Sequence, residues 1–282
     1  MSMTDVADVT NQQKKYWASL FTRKLRENFQ LAALVNKEYE GSIQREGDKV
    51  YVSQVNDPTG ELRTIGTDAD AFSTEKVSTT RVEIAANKRA VAAYEFADMV
   101  ELQSQIQKDS VQDGMIFALN KQINTYLYSL LAPSSSSPDH EITGVSAINA
   151  AALGDYYQLA AEAKWAMEGG WWGLWSPAYW NDMMTDTTLA SGDFVSDAPM
   201  VNGQKARRLF GMNHFMDNSK TGKHGVIFHP DFMHLVTQQS VQVKVSDLHG
   251  QKKFGVVFSV DIVFGAALGL EGAKKHIRIT GS

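Results

Sequence analysis

The chain has 282 residues, a formal net charge of −5 and 43% apolar residues. That is enough for one large folded domain or two medium ones, and it excludes fibrous and wholly disordered classes. Cysteine is absent, which removes disulfides, thiolate metal sites and cysteine nucleophiles and is compatible with a reducing compartment.

The first fifteen residues, MSMTDVADVTNQQKK, hold no apolar core of signal-peptide length. Residues 12–36 then read as an amphipathic helix or an arm containing one, with Tyr16, Trp17 and Phe21 close together and needing a surface to cover them. Lys14, Lys15, Arg23, Lys24 and Arg26 form the solvated side of that helix. No basic arm or patch of the kind that neutralises phosphates is present.

Between residues 41 and 93 the apolar period changes to two. KVYVSQV (49–55), KVSTTRVEIA (76–85) and KRAVAAYEF (88–96) are predicted strands rich in Val, Thr and Tyr. The segment between the first two carries Asp57-Pro58 and Gly60 as turn signals, so a long two-stranded projection with a polar end is expected. Such a hairpin is marginal alone in water, which suggests that it lies on a neighbouring subunit.

Residues 97–132 read as one very long helix. Asp98 and Glu101 form a capping-box variant, and Pro133 forbids continuation. About 33 residues at roughly 1.5 Å each span about 50 Å, longer than a small domain is wide. Met99, Leu102 and Ile106 share one side, whereas Met115, Ile116, Leu119, Ile123, Tyr126 and Leu130 centre about 100° away. The rotation falls at Ser110–Gly114 and predicts a bend or a change of packing partner there; two helices joined at Gly114 is the competing expectation.

PSSSSPDH (133–140) is the clearest boundary in the chain and the expected start of a second domain. A helix follows over 147–168, ended by Gly169-Gly170. Trp172–Ser176 reads as a short buried strand, with Pro177 opening the next helix. Residues 190–204 are turn-rich, 206–218 strand-like and 225–230 a core strand leading into a helix from Asp231. Residues 244–257 and 260–267 read as two long strands, and HIRIT closes the chain. The longest apolar run, 254–270, contains Ser259 and Asp261 and is too short to span a bilayer, so no membrane partner is expected.

For catalysis, the strongest candidates are His214, His224, His229 and His234 with Asp231, the residue types of a zinc or non-haem iron site. Their spacing argues otherwise. On the expected helix His229 and His234 would lie about 140° apart, whereas H-E-x-x-H places its ligands on one face. Scattered structural histidines are the simpler reading. No nucleophile elbow or phosphate-cradling loop is present, and no cofactor is expected. Trp165, Trp171, Trp172, Trp175 and Trp180 could form a sugar-stacking platform, but a domain core explains them more economically.

The order of elements, with KLRENFQLAALVNKEYEGSIQREGDKVYV (24–52), LFGMNHFMDNS (209–219) and VKVSDLHGQKKFGVVFSVDIVFGAALGLEGAKKHIRI (243–279), resembles the major capsid protein of tailed bacteriophages, the Hong Kong 97 type fold. The resemblance implies an α+β subunit: an N-terminal arm at 1–40, an extended loop at 41–87, a peripheral domain with its spine helix at 88–132 and 241–282, and an axial domain at 133–240. It implies no enzymatic activity. The expected partners are many copies of the same chain, closing into hexamers and pentamers around double-stranded DNA without sequence-specific binding. Portal and scaffolding proteins are further expected partners, and a decoration protein is an optional one. About 35 residues precede the extended loop, so scaffolding is expected as a separate protein. The expected location is the virion capsid, assembled in the host bacterial cytoplasm. Trp17, Phe21, Tyr51, Arg63 and Phe72 are the expected contacts between subunits. An encapsulin-like compartment shell and a metal-dependent enzyme using His214, His229, Asp231 and His234 are the alternatives.

Overall fold

The computed structural model describes residue 27 and residues 29–39, 49–63, 74–97, 108–131, 140–167, 170–190 and 206–281. Trp17, Phe21 and Phe72, the helix cap at Asp98 and most of the 133–140 boundary lie outside them. In chain order the described elements are α1 (Leu31–Leu34), β1 (Lys49–Val55), β2 (Thr79–Ala85), β3 (Lys88–Ala97), α2 (Lys108–Leu131), β4 (His140–Ile142) and α3 (Ala150–Glu162). They continue with β5 (Trp172–Trp175), α4 (Pro177–Thr185), α5 (Thr187–Ala190), β6 (Ala206–Leu209), β7 (Met212–Met216), β8 (His224–Phe228), β9 (Met233–Asp247), β10 (Gly255–Leu268) and β11 (His276–Thr280).

The strands form a two-stranded ribbon β1-β2, a three-stranded antiparallel sheet β3-β10-β9 and a six-stranded mixed sheet β4-β11-β8-β5-β7-β6. In the six-stranded sheet, alternation of side chains sorts residues between two cores. Leu174, Val226 and Phe228 face α2 and the three-stranded sheet. Trp175, Ile227, Ile277 and Ile279 face the other way, against α3 and α4. The predicted tryptophan core is what forms: Trp165, Trp171, Trp175 and Trp180 are all buried there. The indole N–H groups of Trp165 and Trp171 donate to the carbonyls of Lys274 and Ala166, which satisfies the polar atom that burial would otherwise strand.

The long helix runs unbroken through Gly114, so the expectation of two helices joined there fails within the described residues. Its buried apolar line is Met115, Leu119, Ile123, Leu127 and Leu131, whereas Ile116 is exposed. Residues four apart advance 40° beyond a full turn, so this line winds around the helix and meets different elements along its length. Phe117 packs on Phe29 of the arm, Tyr126 meets Phe264 of β10 edge-on, and Tyr128 donates to Asp217 beside the six-stranded sheet. The change of partner expected at Ser110–Gly114 turns on Met99, Leu102 and Ile106, which lie outside the described residues.

Other expectations are corrected. The amphipathic helix expected over 12–36 lies largely outside the described residues; within 29–39 the arm has one helical turn, Leu31–Leu34, and Asn36 pairs with His234 as a parallel bridge. Residues 206–218 form a hairpin, turned at Phe210-Gly211 with both residues in the left-handed region. Asp231 belongs to a single 3-10 turn, Pro230–Phe232, after which the chain enters β9. Leu235, Val241, Val243 and Val245 suit a pleated strand, and pairing with β10 overrides the helix-start signal of Pro230. The two long strands meet at a turn over 248–254, so they divide earlier than expected. The terminal HIRIT pairs with β8 and β4 in the six-stranded sheet, apart from β10, with which it was grouped. No helix among the described residues is long and apolar enough to cross a membrane.

Candidate assembly surfaces

The ribbon is the part of the described chain with least cover of its own. β1 and β2 pair antiparallel from Lys49↔Ala85 to Val55↔Thr79. Near its root Ile84 and Ala86 bury against Val236 of β9, with Tyr39, Val50, Val52 and Ala267 around them. Gly265 of β10 permits this contact: a Cβ there would collide with the carbonyl and backbone of Ala85. The arm is fixed to the same root. Asn36 accepts from Leu235 N–H at 2.9 Å, donates its own N–H to Met233 O at 3.2 Å, and donates through Nδ2 to Asp231 at 3.0 Å.

Away from the root the ribbon has two exposed faces. Tyr51 is 53% exposed, with the Arg81 guanidinium over its ring at 5.1 Å. Val55, Leu62 and Val77 are exposed further out. Arg63 pairs with Glu61 at 2.8 Å, and Thr59 N–H donates to Glu75 at 3.2 Å, so polar contacts shape the end of the ribbon. Lys49 bridges Glu83 at 2.8 Å and, with its hydrogen bond as the largest cause, holds that carboxyl below its ordinary pKa. Both are well exposed, and such pairs contribute little to stability. Tyr51 and Arg63, two of the expected contact residues, thus lie on this ribbon. Val55 and Val77 were read as strand residues and Leu62 as part of the polar end, and none as a contact, because a local period does not tell a covered face from a bare one.

A second bare surface lies at the far end of the three-stranded sheet. Register places Tyr94, Phe258 and Val245 in one row across β3, β10 and β9, and Ala92, Val260 and Val243 in the next. α2 covers the part around Val260 and Phe264. Tyr94, Val243 and Val245 remain about half exposed, and Phe254 in the β9–β10 turn is 76% exposed. The opposite face is mixed: Val91 is exposed there, and Asp261 across from it is buried between Arg89 at 3.6 Å and Lys244 at 3.4 Å. β9 is an edge strand among the described residues, leaving backbone groups open to another chain.

The candidate histidines are held by contacts within the fold. His214 is buried in the core, accepts the Trp175 indole N–H at Nδ1 at 2.8 Å, and has its pKa lowered to about 4 by burial. His229 Nδ1 accepts from Asp231 N–H at 3.2 Å, capping the 3-10 turn. His234 packs edge-on to Tyr39 at 5.1 Å, and burial lowers its pKa as well. Among the described residues no three His, Asp or Glu side chains are arranged to hold a metal ion.

No protein-family model and no curated protein matches the sequence. Solved structures do match over almost the whole chain. A structure titled "Mycobacterium phage Che8" is 18% identical, covers 96% of this chain and 98% of its own, and superposes with a TM-score of 0.79. "Cyanophage Pam1 capsid asymmetric unit" is 12% identical, with 98% of each chain covered and a TM-score of 0.75. "Capsid structure of the Cyanophage P-SCSP1u" is 13% identical, covering 97% of this chain and 94% of its own at a TM-score of 0.73. Identity this low carries the fold, and the likeness extends over nearly the whole length of each chain. The chain therefore has the α+β fold of bacteriophage capsid subunits.

Proposed function

We propose that the chain is the major capsid protein of a tailed bacteriophage, a shell subunit whose function resides in contacts with copies of itself. The observation that carries this reading is the ribbon: a two-stranded projection, rooted by a few buried residues, whose Tyr51, Val55, Leu62 and Val77 are exposed. Side chains of that kind gain cover when the ribbon lies on a neighbour, and a head-to-tail contact that closes on itself makes rings. Hexamers and pentamers built this way tile an icosahedral shell. Trp17 and Phe21 of the arm and Tyr51, Arg63 and Phe72 of the extended loop are the proposed contacts.

In this reading the extended loop is 41–87, the arm 1–40, the peripheral domain 88–132 with 241–282, and the axial domain 133–240, whose six-stranded sheet the last strand β11 enters. The shell encloses double-stranded DNA in the virion after assembly in the host cytoplasm, with portal and scaffolding proteins as partners. The net charge of −5 suits DNA loaded against a wall that does not bind it, since coats that condense a genome directly need basic arms. No catalytic step is part of the role.

Removing residues 57–72 tests the contact directly. The shortened chain is expected to keep native circular dichroism and to sediment as small species under conditions in which the full chain assembles. Shells of normal size from the shortened chain would overturn this role for the ribbon.

A further inference from the structure

We propose that a cavity at the carboxyl end of the long helix binds a small tetrahedral oxyanion, phosphate or sulfate. The cavity measures about 130 Å³, where ~10–15 Å³ is enough for one water, and lies between α2 and the six-stranded sheet. Lys220, Arg278 and His224 line it together with Ser176, Tyr128 and Asp217.

Three features favour an anion. Lys220 rests over the Tyr128 ring at 4.4 Å and has no carboxylate within ion-pair distance among the described residues. A cation–π contact leaves its N–H groups able to donate to a ligand. Arg278 is held by Glu141 through Nη1 at 3.1 Å, and a guanidinium has further N–H donors to offer. Both cations also act on His224, whose pKa falls below its ordinary value, first through burial and then through Lys220 and Arg278.

The third feature is Ser176. It is 2% exposed and stands at the N-cap of α4, a nine-residue helix, yet its side chain makes no capping bond. Its Oγ accepts from His224 N–H at 3.2 Å instead, which leaves the hydroxyl proton for a ligand. A helix start whose first turn lacks a side-chain cap favours negative charge.

Asp217 also lines the cavity, but both its oxygens are engaged. Oδ2 accepts from Tyr128 OH at 2.6 Å and Oδ1 from Ser219 N–H at 2.8 Å. Its charge stays in the cavity wall, and Lys220 and Arg278 set two positive charges against it.

Calorimetric titration of the purified full chain with inorganic phosphate, at an ionic strength fixed with chloride, tests the site. Saturable binding of one phosphate per chain is expected. Lys220→Gln weakens it about 10-fold, the effect of one lost charge-assisted hydrogen bond. Arg278→Gln weakens it too, and Lys253→Gln, at an exposed lysine elsewhere, leaves it unchanged. A short DNA duplex added as competitor separates the sources: displacement of phosphate identifies a backbone phosphate as the ligand, and no displacement identifies the free ion. Absence of saturable binding, or equal affinity in folded Lys220→Gln, overturns the proposal. The outcome is independent of whether the chain builds a shell.

Discussion

His214 sits in β7 opposite Gly173 of β5, stacked on Trp175 at 5.9 Å, with its Nε2 3.3 Å from the Leu209 carbonyl. Glycine is needed at 173, where a Cβ would come within 2.5 Å of His214 Nδ1. Burial holds the native ring neutral down to about pH 4, whereas the unfolded ring takes up a proton near 6.5. Stability from this group is therefore complete above pH 6.5 and declines as pH falls towards 4. The total is roughly 3 kcal/mol. His224 and His234 are shifted in the same direction and add to the slope. Urea midpoints of His214→Gln between pH 7 and 4.5 are expected to show a shallower decline than the unsubstituted chain, and an equal decline would contradict this account. None of it was legible as spacing, because the Trp175–His214 contact depends on a parallel pairing across 39 residues that no local period encodes. Sequence offered a structural reading of the histidines from the failure of metal-ligand spacing, and for His214 the structure shows a buried, hydrogen-bonded core residue.

Among the elements, the ribbon strands were legible almost to the residue, because Val and Thr alternate and Asp57-Pro58 breaks the run. β9 and β10 were read with a wrong boundary. Valines continue on both sides of the turn, and only Asp247, which accepts from His249 N–H at 2.9 Å, and Lys252 in the left-handed region mark the reversal. The helix stripe was read within one residue of its true line, since Tyr126 and Leu130 pack against the core while Leu127 and Leu131 are buried in it. The ribbon root was invisible in sequence, because Gly265 looks like an ordinary strand glycine until Ala85 is placed against it. Gly265→Ala is predicted to displace β2 and to cost about 2 kcal/mol, in the range of an overpacked core. Amide exchange in β2 and the unfolding midpoint read the effect together. Protection and stability equal to the parent chain would show that the root is looser than described.

At the scale of the molecule, two cores share the six-stranded sheet, and the arm, the ribbon root and the start of β9 meet at Asn36, Ile84 and Val236. Movement of the ribbon on a neighbour would thus be transmitted to the arm and to the edge strand. This arrangement suits a subunit whose projections must be set relative to one another before they engage other copies. Overall class and element order were legible because they depend on local periods and punctuation. The partition of strands between sheets was not, since β11 returns to the six-stranded sheet by long-range pairing with β8. The central claim is that many copies of this chain close into a shell. Negative-stain microscopy of the expressed full-length protein tests it most directly. Regular closed particles of uniform diameter, with rings of five and six subunits, are the predicted result; uniformly dispersed single subunits at every protein concentration and ionic strength would contradict it.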